Sequence, residues 1–231
     1  YRRDDGKWVA DHWGYSLPDR QLAAAPIHSK EGAAYLDAMH AAGNYAFANR
    51  SALTQRLRKT LRKITGRNSD VEVVYDVSHN IAKIEEHVVH GKTCKCCVHR
   101  KGATRALGGD HAELHSRFGS IGQPVLVPGD MGTASWVLAG PKNGSNRAFA
   151  SSCHGAGRRL SRKAARDTID SEELISSLSA RGIEVRARTS SILAEEAPSA
   201  YKDVDEVIQL TNNANLARPV ARLTPLAVIK G

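Results

Sequence analysis

The run Ser151-Ser152-Cys153-His154-Gly155-Ala156-Gly157-Arg158-Arg159 constrains this chain more than any other stretch. A histidine is followed at once by Gly-Ala-Gly, and then by two arginines opening a segment of helical pattern. The glycines let backbone approach a phosphate closely, and a helix start offers unpaired N–H groups and a positive dipole end. The arginines add fixed charge and forked donors that suit phosphate oxygens. An imidazole at that spot is placed to attack a phosphorus atom or to ligate a metal. Taken alone, the run fits a Gly-rich turn with a surface histidine equally well, so its neighbours must decide.

With 231 residues, 41% of them hydrophobic and 25% charged, the chain can bury a core as one or two domains. No apolar run approaches a membrane span and no signal peptide is visible. Lys and Arg number 33 against 24 Asp and Glu, a net +9 that suits a polyanionic partner such as nucleic acid. Three of the four cysteines crowd into Cys94, Cys96 and Cys97, with Cys153 apart. That is no secreted disulfide framework, and it predicts a reducing cytoplasm. The chain opens at Tyr1 without a methionine and reads as a piece of a longer protein.

Residues 1–28, with Trp8, Trp13, Pro18 and Pro26, predict irregular structure packed on something else. Ser29 reads as an N-cap with Glu31 in the first turn, and a helical pattern runs from Lys30 to about Gly66, interrupted near Gly43. Leu53, Leu57, Leu61 and Ile64 form one apolar stripe, while Arg56, Arg58, Lys59, Arg62 and Lys63 crowd the other faces as a candidate RNA contact. Val71 to Val77 predicts a strand leading into Ser78-His79-Asn80. Ile81–Val89 and Cys94–Lys101 predict a hairpin turning at His90-Gly91-Lys92. Gly102 to Ala106 reads as a loop, and the segment through Gly122 as irregular.

Pro124–Val127 and Trp136–Ala139 predict strands flanking the loop Pro128 to Ser135, followed by a turn over Lys142 to Asn146. Helices are expected from Arg158 to Thr168, from an Asp170 or Ser171 cap to Gly182, and over 203–212. Ile183–Arg188 and Val220–Lys230 complete the strands. The class is α+β, with strands feeding loops that carry chemistry.

Singly these loops are weak signals. His79 also reads as an ordinary surface histidine, and Pro128-Gly129-Asp130-Met131 as a simple turn. Together they match a family in order along nearly the whole chain. The residues that carry the resemblance are Leu17 to Gln21, Ala41 to Ala46, Asp76 to Asn80 and Val98 to Ala106. Pro128 to Ser135, Cys153 to Arg158 and Val228 to Gly231 complete them. The chain resembles the C-terminal half of the RtcB family, the GTP- and Mn²⁺-dependent RNA ligases of tRNA splicing and RNA repair.

The resemblance implies one compact α+β domain, incomplete without its N-terminal half, with residues 1–231 forming the guanylate-binding and nucleophile-bearing portion. It implies His154 as the catalytic nucleophile that takes GMP from GTP, and His79 as a ligand to one of two manganese ions. It places Asn80, Pro128, Gly129, Asp130, Met131, Ser135, Gly155, Ala156 and Gly157 at the nucleotide together with His154. Tyr201 would stack on guanine, and Lys230 would donate to its O6, which distinguishes guanine from adenine. Arg158 and Arg162 become candidate RNA-phosphate contacts. The implied partners are RNA ends (tRNA halves or broken RNA), GTP and an archease-type activator, with no membrane.

The sequence also departs from the family. The other manganese ligands, an Asp, a Cys and two His, belong to the half not matched here, and Asp130 stands where Ser is more usual. The Cys94–Cys97 cluster is no family signature; zinc with His90 or His99 would need better spacing than C-x-C-C. A catalytically inactive RNA-binding fragment is therefore the alternative reading. An unrelated nucleotide hydrolase is disfavoured because no G-x-x-x-x-G-K-[ST] run occurs.

Overall fold

The computed structural model describes residues 11–19, 22–66, 71–142 and 147–230. The turn expected over Lys142 to Asn146 falls mostly outside them, as do Trp8, Arg20, Gln21 and Gly231. The fold is α+β. Among the described residues, nine strands gather into four small sheets with helices between them.

Helix α1 (Lys30–Thr65) begins where Ser29 accepts the Gly32 amide at 3.0 Å and stops at left-handed Gly66, whose N–H returns to Arg62. It is continuous through Gly43, contrary to the predicted interruption. Its half-buried residues recur at Leu36, Met39, Gly43, Ala46, Arg50, Thr54, Arg58 and Leu61, a seam of three- and four-residue steps. Gly43 lies in that seam facing β1: a Cβ there would stand 3.6 Å from Ile81 Cδ1, an ordinary packing contact. Of the stripe read from sequence only Leu61 falls in that seam; Leu53, Leu57 and Ile64 stand exposed, Ile64 at 75%.

Val71–Val77 forms no strand, although its composition suits one. β-propensity is realised only through a paired neighbour, and no strand pairs with this segment among the described residues. Val73 and Val74 are left exposed, while Tyr75 meets Phe118 edge to face at 5.5 Å. The hairpin that follows does form. Strands β1 (Asn80–Val89) and β2 (Lys92–Lys101) pair antiparallel from Asn80↔Lys101 to Val89↔Lys92. His90 and Gly91 both take positive φ, the twist a tight hairpin turn needs.

Pairing in alternation puts Glu85, His87, Cys96 and Arg100 on one face of that hairpin. Arg100, only 3% exposed, grips Glu85 with two bonds of 2.9 and 2.8 Å. It also donates to the Phe149 carbonyl at 2.8 Å and to Ser151 Oγ at 3.0 Å. The segment expected to be a loop after Lys101 is instead strand β3 (Ala103–Arg105), paired antiparallel with β6 (Ser151–Cys153).

Strands β4 (Pro124–Val127), β5 (Ser135–Ala139) and β8 (Arg218–Leu223) form the three-stranded sheet, with a register irregularity at Val137/Leu138. Its buried face joins Ala106, Val125, Val127, Ala134, Leu138, Ala156 and Ala217 to Val204 and Ile208. The last two belong to the helix Val204–Asn213. A second core combines Met131, Leu178, Ile183 and Leu193.

The helix expected from Arg158 starts later, as α2 (Arg162–Thr168), capped by Ser161, which accepts the Ala164 amide at 3.1 Å. Residues 158–160 are claimed elsewhere: Arg159 and Leu160 donate to the Ala200 carbonyl, and Lys202 to that of Gly157. Helix α3 (Ser171–Ala180) is capped by Asp170 as expected. Strand β7 (Glu184–Ala187), α4 (Ser190–Glu195) and α5 (Val204–Asn213) follow, the last carrying Val204 and Ile208. The terminal strand expected from Val220 to Lys230 divides into β8 and β9 (Ala227–Lys230). They join different sheets, because Pro225 cannot donate into a ladder and β9 pairs parallel with β7. No helix among the described residues is long and apolar enough to cross a membrane.

Candidate active site

Three strand ends converge on two histidines. His79 immediately precedes β1, His154 immediately follows β6, and Gly102 joins β2 to β3. The two imidazoles stack with centroids 4.6 Å apart and planes 5° from parallel. Gly102 has φ 71°, and a Cβ there would lie 3.4 Å from His154 Nε2, so a glycine suits both the backbone and the ring beside it. Asn80 accepts the Gly102 amide through Oδ1 at 3.4 Å, tying the His79 turn to the same corner. Burial, followed by the neighbouring His79 and Lys101, holds the His154 pKa below the usual histidine range. That favours the neutral ring, whose free nitrogen lone pair is a nucleophile.

The Gly155–Gly157 loop leaves His154 and touches the β4–β5 loop, where the Ala156 amide donates to the Pro128 carbonyl at 3.2 Å. The β4–β5 loop is anchored at both ends of its span. Asp130 Oδ1 accepts the amides of Gly132 at 2.8 Å and Thr133 at 2.9 Å, and Oδ2 accepts the Thr133 hydroxyl at 2.7 Å. Asp130 thus shapes its own loop, as a short acceptor commonly does in a turn. Ser135 Oγ accepts the Gly129 amide at 3.4 Å. The Met131 side chain is buried in the second core and Ala134 in the first, so the two cores hold the loop between them.

Tyr201 is brought to the far side of the His154 loop by an antiparallel bridge with Arg158. Arg158 spends its donors within the protein, on Leu160 O, Glu195 O and Tyr201 Oη. Arg162 stays exposed beside Glu195. The Lys230 backbone ends β9 opposite Ala187; its side chain, like that of Ile229, lies outside the described residues.

The structure therefore assembles His79, Asn80 and His154 at one corner. It links the Pro128, Gly155 and Tyr201 segments into one backbone-bonded group. The Glu85–Arg100 pair behind them escaped the sequence reading. Its trace is a pair of opposite charges on one face of a predicted hairpin, within the matched stretch around Arg100. Arg100 also steadies Phe149, which with Ala150 takes positive φ just before β6. Such backbone is costly for residues other than glycine and persists where neighbours over-determine it.

Metal-holding capacity is limited. Cys97 Sγ meets His99 Nε2 at 3.5 Å, and burial pushes the Cys97 thiol pKa up. All four cysteines are free. Among the described residues no group of three or more His, Cys, Asp or Glu gathers that could hold a metal ion. The zinc site considered at the cysteine cluster is absent from that set. The residues present likewise do not amount to a two-manganese centre: His79 is one candidate ligand without companions. A cleft of about 470 Å³ lies next to this corner, lined among others by Phe47, Tyr75, Ser78, Lys83 and Arg105.

A two-histidine corner served by small-residue loops defines a candidate nucleotide-handling centre, and comparison with known proteins gives it a family. The family model for tRNA-splicing ligase RtcB matches residues 5–231. The tRNA-splicing ligase RtcB of Thermococcus kodakarensis is 49% identical over 222 residues, covering 95% of this chain and 46% of the relative. The RNA-splicing ligase RtcB of Mycobacterium bovis is 52% identical over 219 residues, covering 95% of this chain and 50% of its own length. The chain belongs to the RtcB family. It spans about half the length of these curated relatives.

Proposed function

We propose that this chain is the guanylate-binding and nucleophile-bearing portion, over residues 1–231, of a cytoplasmic GTP- and Mn²⁺-dependent RNA ligase. The ligase joins RNA 2′,3′-cyclic phosphate or 3′-phosphate ends to 5′-hydroxyl ends in tRNA splicing and RNA repair. The observation that carries the reading is the His79–His154 juxtaposition inside a family whose curated relatives are named splicing ligases.

In this reading the neutral His154 imidazole attacks the α-phosphorus of GTP, expels pyrophosphate and holds GMP as a phosphoramidate. GMP then passes from His154 to an RNA 3′-phosphate, a 2′,3′-cyclic end first being opened by hydrolysis, and the 5′-hydroxyl of the second RNA attacks that phosphorus, joining the ends and releasing GMP. The Gly155-Ala156-Gly157 segment, held by the Ala156 amide to the Pro128 carbonyl, and the loop from Pro128 through Gly129, Asp130 and Met131 to Ser135 surround the nucleotide phosphates and sugar. Asn80 orients it, Tyr201 stacks on guanine and Lys230 reads O6. Manganese would offset phosphate charge, with His79 contributing one ligand. Its remaining ligands must come from outside the described residues, so no step is drawn through it. An archease-type activator completes the set of proposed partners.

The test is covalent labelling by GTP carrying a labelled α-phosphate, in the full-length protein with Mn²⁺. An acid-labile, alkali-stable adduct is expected, and His154→Ala should abolish both it and end joining. RNA ending in 3′-ppG should partly restore joining by His154→Ala, because it bypasses the first two transfers. Label persisting on His154→Ala protein would overturn the assignment. The scarcity of metal donors among the described residues favours a second reading, an inactive RNA-binding fragment. That reading predicts RNA binding with no adduct under any of these conditions.

A further inference from the structure

Tyr201 is not a free aromatic ring. Its hydroxyl donates to Glu196 Oε2 at 2.7 Å and accepts from Arg158 Nη1 at 2.9 Å. The Arg158 guanidinium lies over the ring with its carbon 4.7 Å from the centroid. Arg158 is itself fixed by the Leu160 carbonyl at 2.9 Å, the Glu195 carbonyl at 2.6 Å and Glu196 Oε1 at 3.7 Å. Both charged side chains are 23% exposed, so solvent screens the pair only in part.

The arrangement has two consequences for anything that stacks on the ring. One face is already taken by a guanidinium, which leaves a flat ligand only the opposite face. The phenol's donor and one acceptor site are occupied, so it offers a ligand its π surface and little polarity. Burial, then the hydrogen bond and charge of Glu196, push the phenol pKa up to about 12, so the ring stays uncharged and the hydroxyl keeps its proton. The Arg158↔Tyr201 bridge and the Lys202–Gly157 bond tie this platform to the His154 loop. Ring orientation is thereby coupled to the loop beside the nucleophile.

We propose that Glu196 is a positioning residue for nucleobase binding: with Arg158 it clamps Tyr201 so that a purine base stacks on the face of the ring opposite the guanidinium. The proposal rests on the reading of Tyr201 as the base platform. It assigns Arg158 to that platform in place of the RNA backbone.

The test measures GMP binding calorimetrically in the full-length protein and, separately, the GTP dependence of covalent labelling. Glu196→Ala should weaken GMP binding about five- to twentyfold, and raise the GTP concentration for half-maximal labelling equally. The maximal labelling rate should change less than about threefold, because the clamp orients the base and touches no reacting atom. Glu196→Gln keeps an acceptor and should bind within about threefold of the parent. Tyr201→Phe removes the same hydrogen bond from the other side, so it tests the clamp even if Glu196→Ala misfolds. Combining the two should cost no more than either alone.

Glu196→Ala binding within twofold of the parent, additive losses, or a Gln variant as weak as the Ala variant would each overturn the clamp. Tyr201→Ala separates the two levels. If it leaves GMP binding unchanged, the platform reading itself fails. If it weakens binding while Glu196→Ala does not, only the clamp fails.

Discussion

The sheet β4-β5-β8 and helix α1 show two ways in which one chain treats its apolar residues. In the sheet, Val125, Val127 and Leu138 are fully buried, and α5 closes over them with Val204 and Ile208. Charged partners finish the rim: Asp205 accepts from Trp136 Nε1 at 2.7 Å and from Arg222 at 2.9 and 3.1 Å. Helix α1, with 36 residues against 10 in α5, buries only Gly32 fully and leaves Leu53 and Leu57 half exposed. The neighbouring segment 71–77 likewise leaves Val73 and Val74 in solvent. The functional corner belongs to the first kind of region. His154 leaves β6 on a loop whose Ala156 lies in the same core as Leu138. The difference teaches that the loops bearing the candidate chemistry have support within this chain, whereas α1 is held by one seam.

The comparison breaks most visibly if the support behind the corner proves unimportant. Glu85→Gln leaves Arg100 buried without its counter-charge, with one of the two acceptor oxygens it grips replaced by an NH2 donor, and breaking such pairs costs about 3–5 kcal/mol. Urea unfolding should show a loss of that size. The acid limb should respond in a defined sense. Burial raises the Glu85 carboxyl pKa, but hydrogen bonds from Arg100 and His87, with the charges of Arg100 and Arg105, outweigh it, so the net shift is downward. A folded pKa below the unfolded one stabilises fully above the ordinary carboxylate range, and that stability is lost as pH falls through the depressed value. The stability gap between parent and Glu85→Gln should therefore narrow towards low pH. A gap constant with pH would assign the loss to packing and not to the ion pair.

Next in size is Leu138→Ala at the centre of the three-stranded sheet. Removing a fully buried leucine should cost about 3 kcal/mol, through lost transfer energy and a cavity the twisted sheet cannot close. A loss below about 1 kcal/mol in the same urea titration would mean that this sheet is no better packed than α1.

The sequence made the elements legible where local chemistry decides them. Ser29 and Gly66 mark the ends of α1, Asp170 caps α3, and His90-Gly91 turns the β1–β2 hairpin, each through bonds among near neighbours. It misled where a distant partner decides. Val71–Val77 has a strand's composition and no ladder, while Ala103–Arg105, read as a loop, gains one from Ser151–Cys153. Arg158 carries helical pattern, yet its backbone bridges to Tyr201, forty-three positions away. For the site, sequence likeness singled out His79 and His154, and the stacked rings bring them together. It did not point to Glu85 or Glu196, nor to any role for Arg100 inside the matched stretch, because their value lies in contacts that no local spacing encodes. In α1 the periodicity was real, but two faces share it, and the seam is selected by distant partners: β1 beside Met39 and Gly43, and the 71–77 segment, which accepts from Arg50 and Arg58.

That choice of face yields the smallest expected effect. Leu57 is 50% exposed on the leucine stripe. Leu57→Ala deletes little buried area, creates no cavity and slightly favours helix, so this chain should change stability by less than about 0.5 kcal/mol. Leu36→Ala, on the seam side, is the internal control and should cost more, because it withdraws contacts with neighbouring structure. Urea titrations of the two variants side by side would rank the faces directly. The ranking inverts if the stripe is the true packing surface, so a larger loss at Leu57 than at Leu36 would refute the seam. The same Leu57→Ala change in a protein as long as the curated relatives sharpens the comparison. If additional chain covers the stripe, the loss there should rise to about 2–5 kcal/mol, the range for a buried leucine. A value still near zero would leave α1 as a solvent-facing helix held along its seam alone.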